Sequence, residues 1–129
     1  LIQIIAAILG ALFANYIFGL NVIEISSNIR SGANIYISEI FAATGLLLVI
    51  LLSRADGKNV VSFNVGIYIT AALIFTSSTS FANPAVTIAR MFTESFTGIN
   101  PSTVIFFISC QVIGMFAAYI LYNQFFKSK

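Results

Sequence analysis

The stretch SFANPAVTIAR, residues 80–90, decides how this chain folds, because it sets a polar turn between two long apolar segments. Its Asn83-Pro84 pair is a helix-start signal, since an Asn side chain caps the first turn and Pro suits the first helical position. The apolar flanks put this helix start at membrane depth. Unpaired N–H groups are tolerated there only beside protein or a water-filled cavity. The stretch therefore predicts an aqueous path through a membrane protein.

The composition indicates an integral membrane chain. Hydrophobic residues make up 59% of the 129 residues and charged residues 8%, with a mean hydropathy of +1.00. A soluble domain carries about 25% charged residues. The formal net charge of +2 is too small to suggest a nucleic-acid partner. The chain has no His and a single Cys110, so we expect no metal site and no cofactor. Ser and Thr residues lack a partnering base, and we do not expect an enzyme.

Apolar stretches predict four membrane spans, since a spanning helix needs about 20 apolar residues. These stretches are 1–20, 35–52, 60–77 and 104–123. Segment 83–95 would form a helix of about 20 Å at ~1.5 Å per residue, too short for a hydrocarbon core of ~30 Å. We therefore predict a re-entrant half-helix there. The expected fold is an all-α membrane protein with one transmembrane domain over residues 1–129.

The distribution of charge predicts the orientation. With four spans, one side of the membrane carries Arg54, Lys58, Lys127 and Lys129 against Asp56. The other side carries Arg30 and Arg90 against Glu24 and Glu94. Because basic residues favour the cytoplasmic side, we expect a cytoplasmic C-terminus and a multi-pass protein of the inner or plasma membrane. The chain opens inside a hydrophobic run without an initiator Met, which suggests a fragment of a longer protein.

Asn83-Pro84-Ala85 between two apolar spans, together with Gln3, Glu39 and Gly114 in the other helices, resembles the C-terminal half of a major intrinsic protein. This is the aquaporin and aquaglyceroporin family, and the resemblance runs from its third helix onward. It implies six spanning helices and two half-helices in inverted repeats, usually as a homotetramer with one pore per subunit. The first repeat, with its own Asn-Pro-Ala, would be the partner that completes the pore.

The resemblance also implies a function and roles for the motif. The function is passive transport of water or small uncharged solutes, with exclusion of ions and protons. The Asn83 amide would face the lumen and donate to a passing oxygen. Pro84 and Ala85 would pack the two half-helices together. The positive end of the half-helix macrodipole would oppose cations at the pore centre.

Val86 is the most informative departure from the family pattern. Most members have Arg directly after this Asn-Pro-Ala, where it forms the selectivity filter. Val indicates a less polar and wider filter, and the run resembles a bacterial branch associated with arsenic resistance. This favours glycerol-like polyols and metalloid hydroxides such as arsenite as solutes. Alternatively, Val86 points into packing and another residue fills the filter.

Arg90 is the candidate replacement in the filter, since it lies one turn beyond Val86 on the same helix face. The alternatives are that Arg90 reaches the membrane interface or pairs with Glu94, four residues further on. The helix-five filter position aligns with Leu73, with Ala72 or Thr76 as neighbouring possibilities.

Glu39 lies near the start of a span, where a carboxylate is costly and usually functional or paired. The resemblance implies that Glu39 is buried and braces the half-helix loop. The alternative is a position at the outer interface. Interhelical hydrogen bonds are expected for the polar residues within spans, namely Gln3, Asn15, Asn64 and Gln111.

Two other functional classes stay open from the sequence. One is a structural or organising membrane protein with little permeability. The other is a secondary transporter with a broken helix, which would need an ionisable coupling residue near the midplane.

Overall fold

The computed structural model describes residues 1–56 and 58–126. Its helices in chain order are α1 (Ile2–Ile17), α2 (Ala33–Asp56), α3 (Lys58–Phe75), α4 (Pro84–Ala89) and α5 (Pro101–Leu121). A 3₁₀ turn, Arg90–Phe92, continues α4, and a π-helical turn, Tyr122–Phe126, continues α5. Each predicted apolar span overlaps one of the long helices.

The short helix α4 lies between α1 and α5, and α2 packs against both α3 and α5. Helix α1 contacts α4 and the turn that follows it. Most of the side chains of α1 are exposed, and its one buried residue is Asn15. Helix α4 therefore connects α1 to the packed group formed by α2, α3 and α5.

A close helix contact joins α2 to α5 at Gly114. A Cβ atom there would lie 2.6 Å from the Ile40 carbonyl oxygen and 2.8 Å from the Ala43 Cβ. The Thr44 hydroxyl also donates to the Gly114 carbonyl at 3.1 Å. Small residues let helices approach closely in lipid. Because α2 and α5 approach closely here, Glu39 on α2 and Gln111 on α5, each about one turn from the contact, come within hydrogen-bond distance of one another.

Within the described residues, two helices have the length and apolar composition needed to cross a membrane, Ala33–Arg54 and Pro101–Phe126. Ile2–Ile17 and Val60–Phe75 are shorter apolar helices. Large hydrophobic side chains lie exposed along them, for example Ile2 and Ile74, each 83% exposed. Such surfaces suit lipid or further protein rather than water.

The half-helix is shorter than the predicted segment 83–95. It ends at Phe92, and Thr93 is extended with φ −140° and ψ 119°. Three carbonyls in its last turn accept hydrogen bonds from outside the helix: Arg90 O from Ile99 N, Met91 O from Ser26 N, and Phe92 O from Asn15 Nδ2. Because these tertiary donors take the acceptors that a further turn would use, the helix stops there.

The last helix begins at Pro101, three residues before its apolar stretch 104–123, as the Asn100-Pro101 pair predicts. Asn100 caps it, with Oδ1 accepting from Ser102 N at 3.0 Å, and Pro101 takes the first helical position. Lys127 and Lys129, on which the predicted orientation depends, lie outside the described residues, as do the side chains of Asp56 and Lys58. The orientation therefore remains a prediction.

Candidate functional site

The site is built around the start of α4. Asn83 is extended, with φ −153° and ψ 123°, and its Oδ1 accepts from Ala85 N at 2.8 Å. Pro84 takes the first helical position, where the missing N–H has no intrahelical role. The predicted cap is therefore present. Because Oδ1 faces Ala85, the Nδ2 group and its two donors stay available on the other side of the Asn83 amide.

The segment that leads into Asn83 holds a strained backbone. Thr79, Ser80 and Ala82 have positive φ values of 60°, 45° and 49°. Such conformations cost about 1–3 kcal/mol each for residues other than Gly, and they persist only where the surroundings enforce them. Helix α2 supplies part of that enforcement, because the Glu39 carboxylate accepts from Ala82 N at 2.7 Å.

Glu39 belongs to a buried polar network that joins three helices. Glu39, Thr87 and Gln111 are each 0% exposed. Gln111 Nε2 on α5 donates to Glu39 Oε1 and to Thr87 Oγ1, both at 2.7 Å. The Thr87 hydroxyl in turn donates to the Asn83 carbonyl at 3.0 Å. The network therefore holds the chain on both sides of Pro84, and the alternative that Glu39 lies at the interface is wrong.

Two acceptors of this network have no partner within residues 1–56 and 58–126. They are Glu39 Oε2 and Gln111 Oε1, both buried. Buried polar atoms are nearly always hydrogen-bonded in folded proteins. The centre of the network is therefore polar, and the hydrogen bonds donated by Ala82 N, Gln111 Nε2 and the Thr87 hydroxyl hold it together.

Four of the predicted site residues line one cavity of about 330 Å³. They are Leu73, Asn83, Val86 and Arg90. Apolar residues of α2 and α3 and residues of the loops before and after α4 complete the lining: Leu46, Val65, Ile69, Thr79, Ser80, Phe81 and Thr97. Since a water molecule occupies about 30 Å³ of liquid, the cavity has room for several waters or one small polyol.

Of the three candidates for the predicted helix-five filter position, Leu73 is the one that lines the cavity. It is 45% exposed, whereas Ala72 is 0% exposed. Thr76 is buried, and its hydroxyl donates to the Ala72 carbonyl at 2.6 Å. Neither Ala72 nor Thr76 lines the cavity.

Val86 is half-buried and lines the cavity while also packing against the core cluster around Phe81 and Phe107. Ala85 is buried, and Pro84 is half-buried. Neither Pro84 nor Ala85 lines this cavity. Their predicted contact with a second half-helix stays a prediction.

Arg90 lies at the end of α4 and faces two cavities. Besides the first, it lines a second cavity of about 410 Å³ bounded by α1, and Thr97 lines both. Its guanidinium donates to the Thr97 hydroxyl. We call the cavity lined by Leu73, Asn83, Val86 and Arg90 the candidate path. Arg90 lies beside it, one turn beyond Val86.

The predicted pair between Arg90 and Glu94 is wrong. The Glu94 carboxylate instead accepts from Ser27, from the backbone N–H at 2.6 Å and from the hydroxyl at 2.7 Å. The physical reason is that the helix ends at Phe92, so residues four apart no longer lie on adjacent turns. The two hydrogen bonds from Ser27 hold the pKa of the Glu94 carboxyl below its ordinary value.

Most of the polar residues predicted to join helices make tertiary hydrogen bonds. Asn64 on α3 donates to the Ser53 hydroxyl on α2 at 2.8 Å. Asn15 on α1 donates to the Phe92 carbonyl at 2.9 Å. Gln111 is the centre of the buried network. Gln3 is exposed.

Sequence reasoning missed Arg30. It counted Arg30 only among the charges on one side of the membrane, but the side chain is buried, with 6% exposed. Arg30 donates to the carbonyls of Gly98 at 2.7 Å, Phe96 at 2.6 Å and Ser78 at 3.2 Å. No local pattern marks this role, because it depends on loops that are far apart in the chain.

These features define a class: an all-α membrane protein with a short helix that begins at Asn-Pro-Ala beside a cavity lined by both apolar and polar residues. The chain is similar to aquaglyceroporin AqpS of Rhizobium meliloti (strain 1021), with 41% identity over 119 residues. The match takes in 92% of this chain and 51% of the relative, so the chain spans about half of that protein's length. Neither a protein-family model nor a solved structure matches the chain. This similarity supports membership of the chain in the major intrinsic protein family of aquaporins and aquaglyceroporins.

Proposed function

We propose that this chain forms half of the wall of a passive channel for water and small uncharged solutes. The observation that carries the proposal is the cavity shared by Leu73, Asn83, Val86 and Arg90 at the start of α4. The similarity to a relative named as an aquaglyceroporin supports it. A channel needs no reacting group, only a path whose walls replace the hydration of the solute as it passes.

The mixture of polar and apolar lining residues favours solutes that are themselves amphipathic. Asn83 Nδ2 and the Arg90 guanidinium supply hydrogen-bond donors to the oxygens of a solute. Leu73 and Val86 supply apolar surface for the carbon atoms of a solute. Glycerol-like polyols and neutral metalloid hydroxides such as arsenite have hydroxyl groups and no charge, so they suit such a path. Val86 adds no charge and little bulk where the family usually has Arg.

The exclusion of ions and protons follows from positive charge at the site. Arg90 borders the cavity, and Asn83 and Val86, near the positive end of the α4 macrodipole, line it as well. A cation that entered would lose hydration and meet like charge. A water held by the Asn83 amide donates outward in both directions, which interrupts a chain of proton transfers.

The remaining wall comes from a partner of the same kind. We propose that the N-terminal half of the same channel covers α1, which contacts α4 but exposes most of its apolar side chains. The complete protein would assemble as a homotetramer in the inner or plasma membrane, with the C-terminus in the cytoplasm.

The test is a permeability measurement on the natural full-length protein in liposomes. Stopped-flow light scattering reports the entry of water, glycerol and arsenite, and an internal pH-sensitive dye reports proton leak. We expect transport of water and at least one solute above empty liposomes, with no added proton leak. If neither water nor any solute crosses faster than in empty liposomes, the structural or organising role is the better interpretation.

A further inference from the structure

Arg30 joins the two loops that flank α4. It lies in the connection between α1 and α2, and its side chain is 6% exposed. Its NH1 donates to Ser78, in the loop before α4. Its Nε and NH2 donate to Gly98 and Phe96, in the loop after α4. One guanidinium therefore fixes both loops to each other.

Both loops contribute to the wall of the candidate path. The first loop supplies Thr79, Ser80 and Phe81, and the second supplies Thr97. The carbonyls that Arg30 holds in the second loop belong to the two neighbours of Thr97. Bonds on both sides of one residue leave its backbone little freedom, so Arg30 determines where the Thr97 hydroxyl lies.

The Thr97 hydroxyl is the acceptor for Arg90, which lines the same cavity. The Arg30 guanidinium also lies 5.0 Å from the centre of the Phe81 ring, another lining residue. This distance is within the range of a cation–π contact. Arg30 does not line the cavity itself. It acts through Thr97 and Phe81.

The packing around the second loop makes this arrangement rigid. A Cβ atom on Gly98 would clash with the Ser26 hydroxyl and the Thr93 carbonyl. Ser26 N donates to the Met91 carbonyl at 2.9 Å, and Asn100 N donates to the Asn28 carbonyl at 2.8 Å. The segment just before Arg30 is thus fastened on both sides of the loop that Arg30 holds.

We propose that Arg30 is a positioning residue for the part of the path beside Arg90. Arg30 fixes Thr97 and Phe81, and it thereby sets the position of the Arg90 guanidinium and determines which solutes are admitted. This inference rests on the proposed channel function. A Lys would not replace Arg30, because a single ammonium cannot span carbonyls in two loops as the planar guanidinium fork does.

The test compares variants of the full-length protein in liposomes. The variants are Arg30→Gln, Arg30→Lys, Arg90→Gln and the double variant Arg30→Gln/Arg90→Gln. Arg54→Gln is the matched control, since Arg54 is an exposed arginine in the last turn of α2. The readouts are the amount of protein in the membrane and the ratio of glycerol to water permeability.

We expect Arg30→Gln to raise the glycerol-to-water ratio by about tenfold, the factor that corresponds to ~1.4 kcal/mol. Arg90→Gln should raise it similarly, and the double variant should show no more than the larger single effect, because both changes release the same group. Arg30→Lys should fall between Arg30→Gln and wild type. Arg54→Gln should leave the ratio unchanged.

A second readout does not depend on transport. Thr97→Cys is introduced with and without Arg30→Gln, and the rate of its reaction with a charged methanethiosulfonate is measured in both proteins. Protein without Thr97→Cys serves as the control for reaction at Cys110. Loss of Arg30 should speed the reaction about tenfold, on the same scale of free energy. If wild-type protein transports nothing, the channel proposal fails, but this rate still reports whether Arg30 holds Thr97.

Three results would overturn the positioning role. One is an unchanged permeability ratio in both Arg30 variants at normal membrane amounts. Another is an unchanged rate of thiol modification in Thr97→Cys when Arg30 is replaced. The third is failure of both Arg30 variants to reach the membrane while Arg54→Gln does, which would make Arg30 a folding residue.

Discussion

Two helices of this protein begin with the same Asn-Pro pair, and the one at Asn83 begins beside the cavity of about 330 Å³. At Asn100-Pro101 the cap is local: Oδ1 accepts from Ser102 N at 3.0 Å and from the Ser102 hydroxyl at 2.7 Å. At Asn83-Pro84 the cap to Ala85 N is just as local, with a distance of 2.8 Å. The shared dipeptide therefore accounts for the helix starts and for nothing more.

The difference lies in what surrounds each start. Asn83 follows three residues with positive φ and is supported by the buried Glu39, Thr87 and Gln111. Its carbonyl accepts from the Thr87 hydroxyl, and its side chain lines the cavity. The Asn100 cap is served by Ser102, which is exposed. The candidate function therefore depends on the tertiary support of the motif and not on the motif alone.

The largest expected effect comes from removing that support. Glu39→Leu leaves the Ala82 N–H without an acceptor and takes one of two acceptors from Gln111 Nε2. Each buried donor left unpaired costs about 1–3 kcal/mol, and the strained Ala82 loses its restraint. We expect a clear loss of thermal stability of the detergent-solubilised protein. Glu39→Gln keeps an acceptor oxygen at the site and should lose less. Equal losses in the two variants would contradict this account.

A smaller effect should follow from restoring the usual family residue with Val86→Arg. A guanidinium beside Leu73 and Asn83 would narrow the cavity and add a charge. We expect glycerol and arsenite permeability to fall about tenfold, a change of ~1.4 kcal/mol in the barrier, while water permeability changes less. Val86→Met is the control at the same position, since it adds bulk without charge. If water and glycerol fall in proportion in Val86→Arg, Val86 does not set selectivity.

A direct test of the comparison replaces each cap in turn. Asn83→Ala and Asn100→Ala should each destabilise the protein by about 1 kcal/mol, because each removes the acceptor for an N–H of the first helical turn. Only Asn83→Ala should change permeability, and it should also increase proton leak. Thermal stability and liposome transport are measured on both variants. A change of permeability in Asn100→Ala of the same size would remove the distinction between the two starts.

Much of the helical framework could be predicted, because its signals are local. Apolar runs of spanning length and the Asn-Pro caps specify where helices lie and where two of them begin. We could predict Leu73, Asn83, Val86 and Arg90 as site residues because they lie in or next to helices whose order along the chain is predictable. The structure places all four at one cavity. Their roles in selecting a solute remain predictions.

What could not be predicted depends on contacts between distant segments. The end of α4 is set by donors from Ser26, Asn15 and Ile99, none of which its own sequence reveals. The burial of Arg30 depends on carbonyls more than forty residues away along the chain, at Ser78, and further, at Gly98. The positive φ values at Thr79, Ser80 and Ala82 carry no signal either, because these residue types rarely adopt them.

The smallest expected effect concerns the contact between Ser27 and Glu94, in the segment that follows α4. Hydrogen bonds from Ser27 lower the pKa of Glu94 in the folded protein. A carboxyl whose pKa is lower when folded contributes stability above its unfolded pKa, and that contribution is lost as pH falls through the folded pKa. The melting temperature should therefore fall on acidification below about pH 4, in part through this contact. Glu94→Gln should show a weaker fall over the same range, and its transport at neutral pH should stay close to wild type because Glu94 does not line the cavity. An identical acid profile in Glu94→Gln and wild type would show that the contact adds nothing to stability.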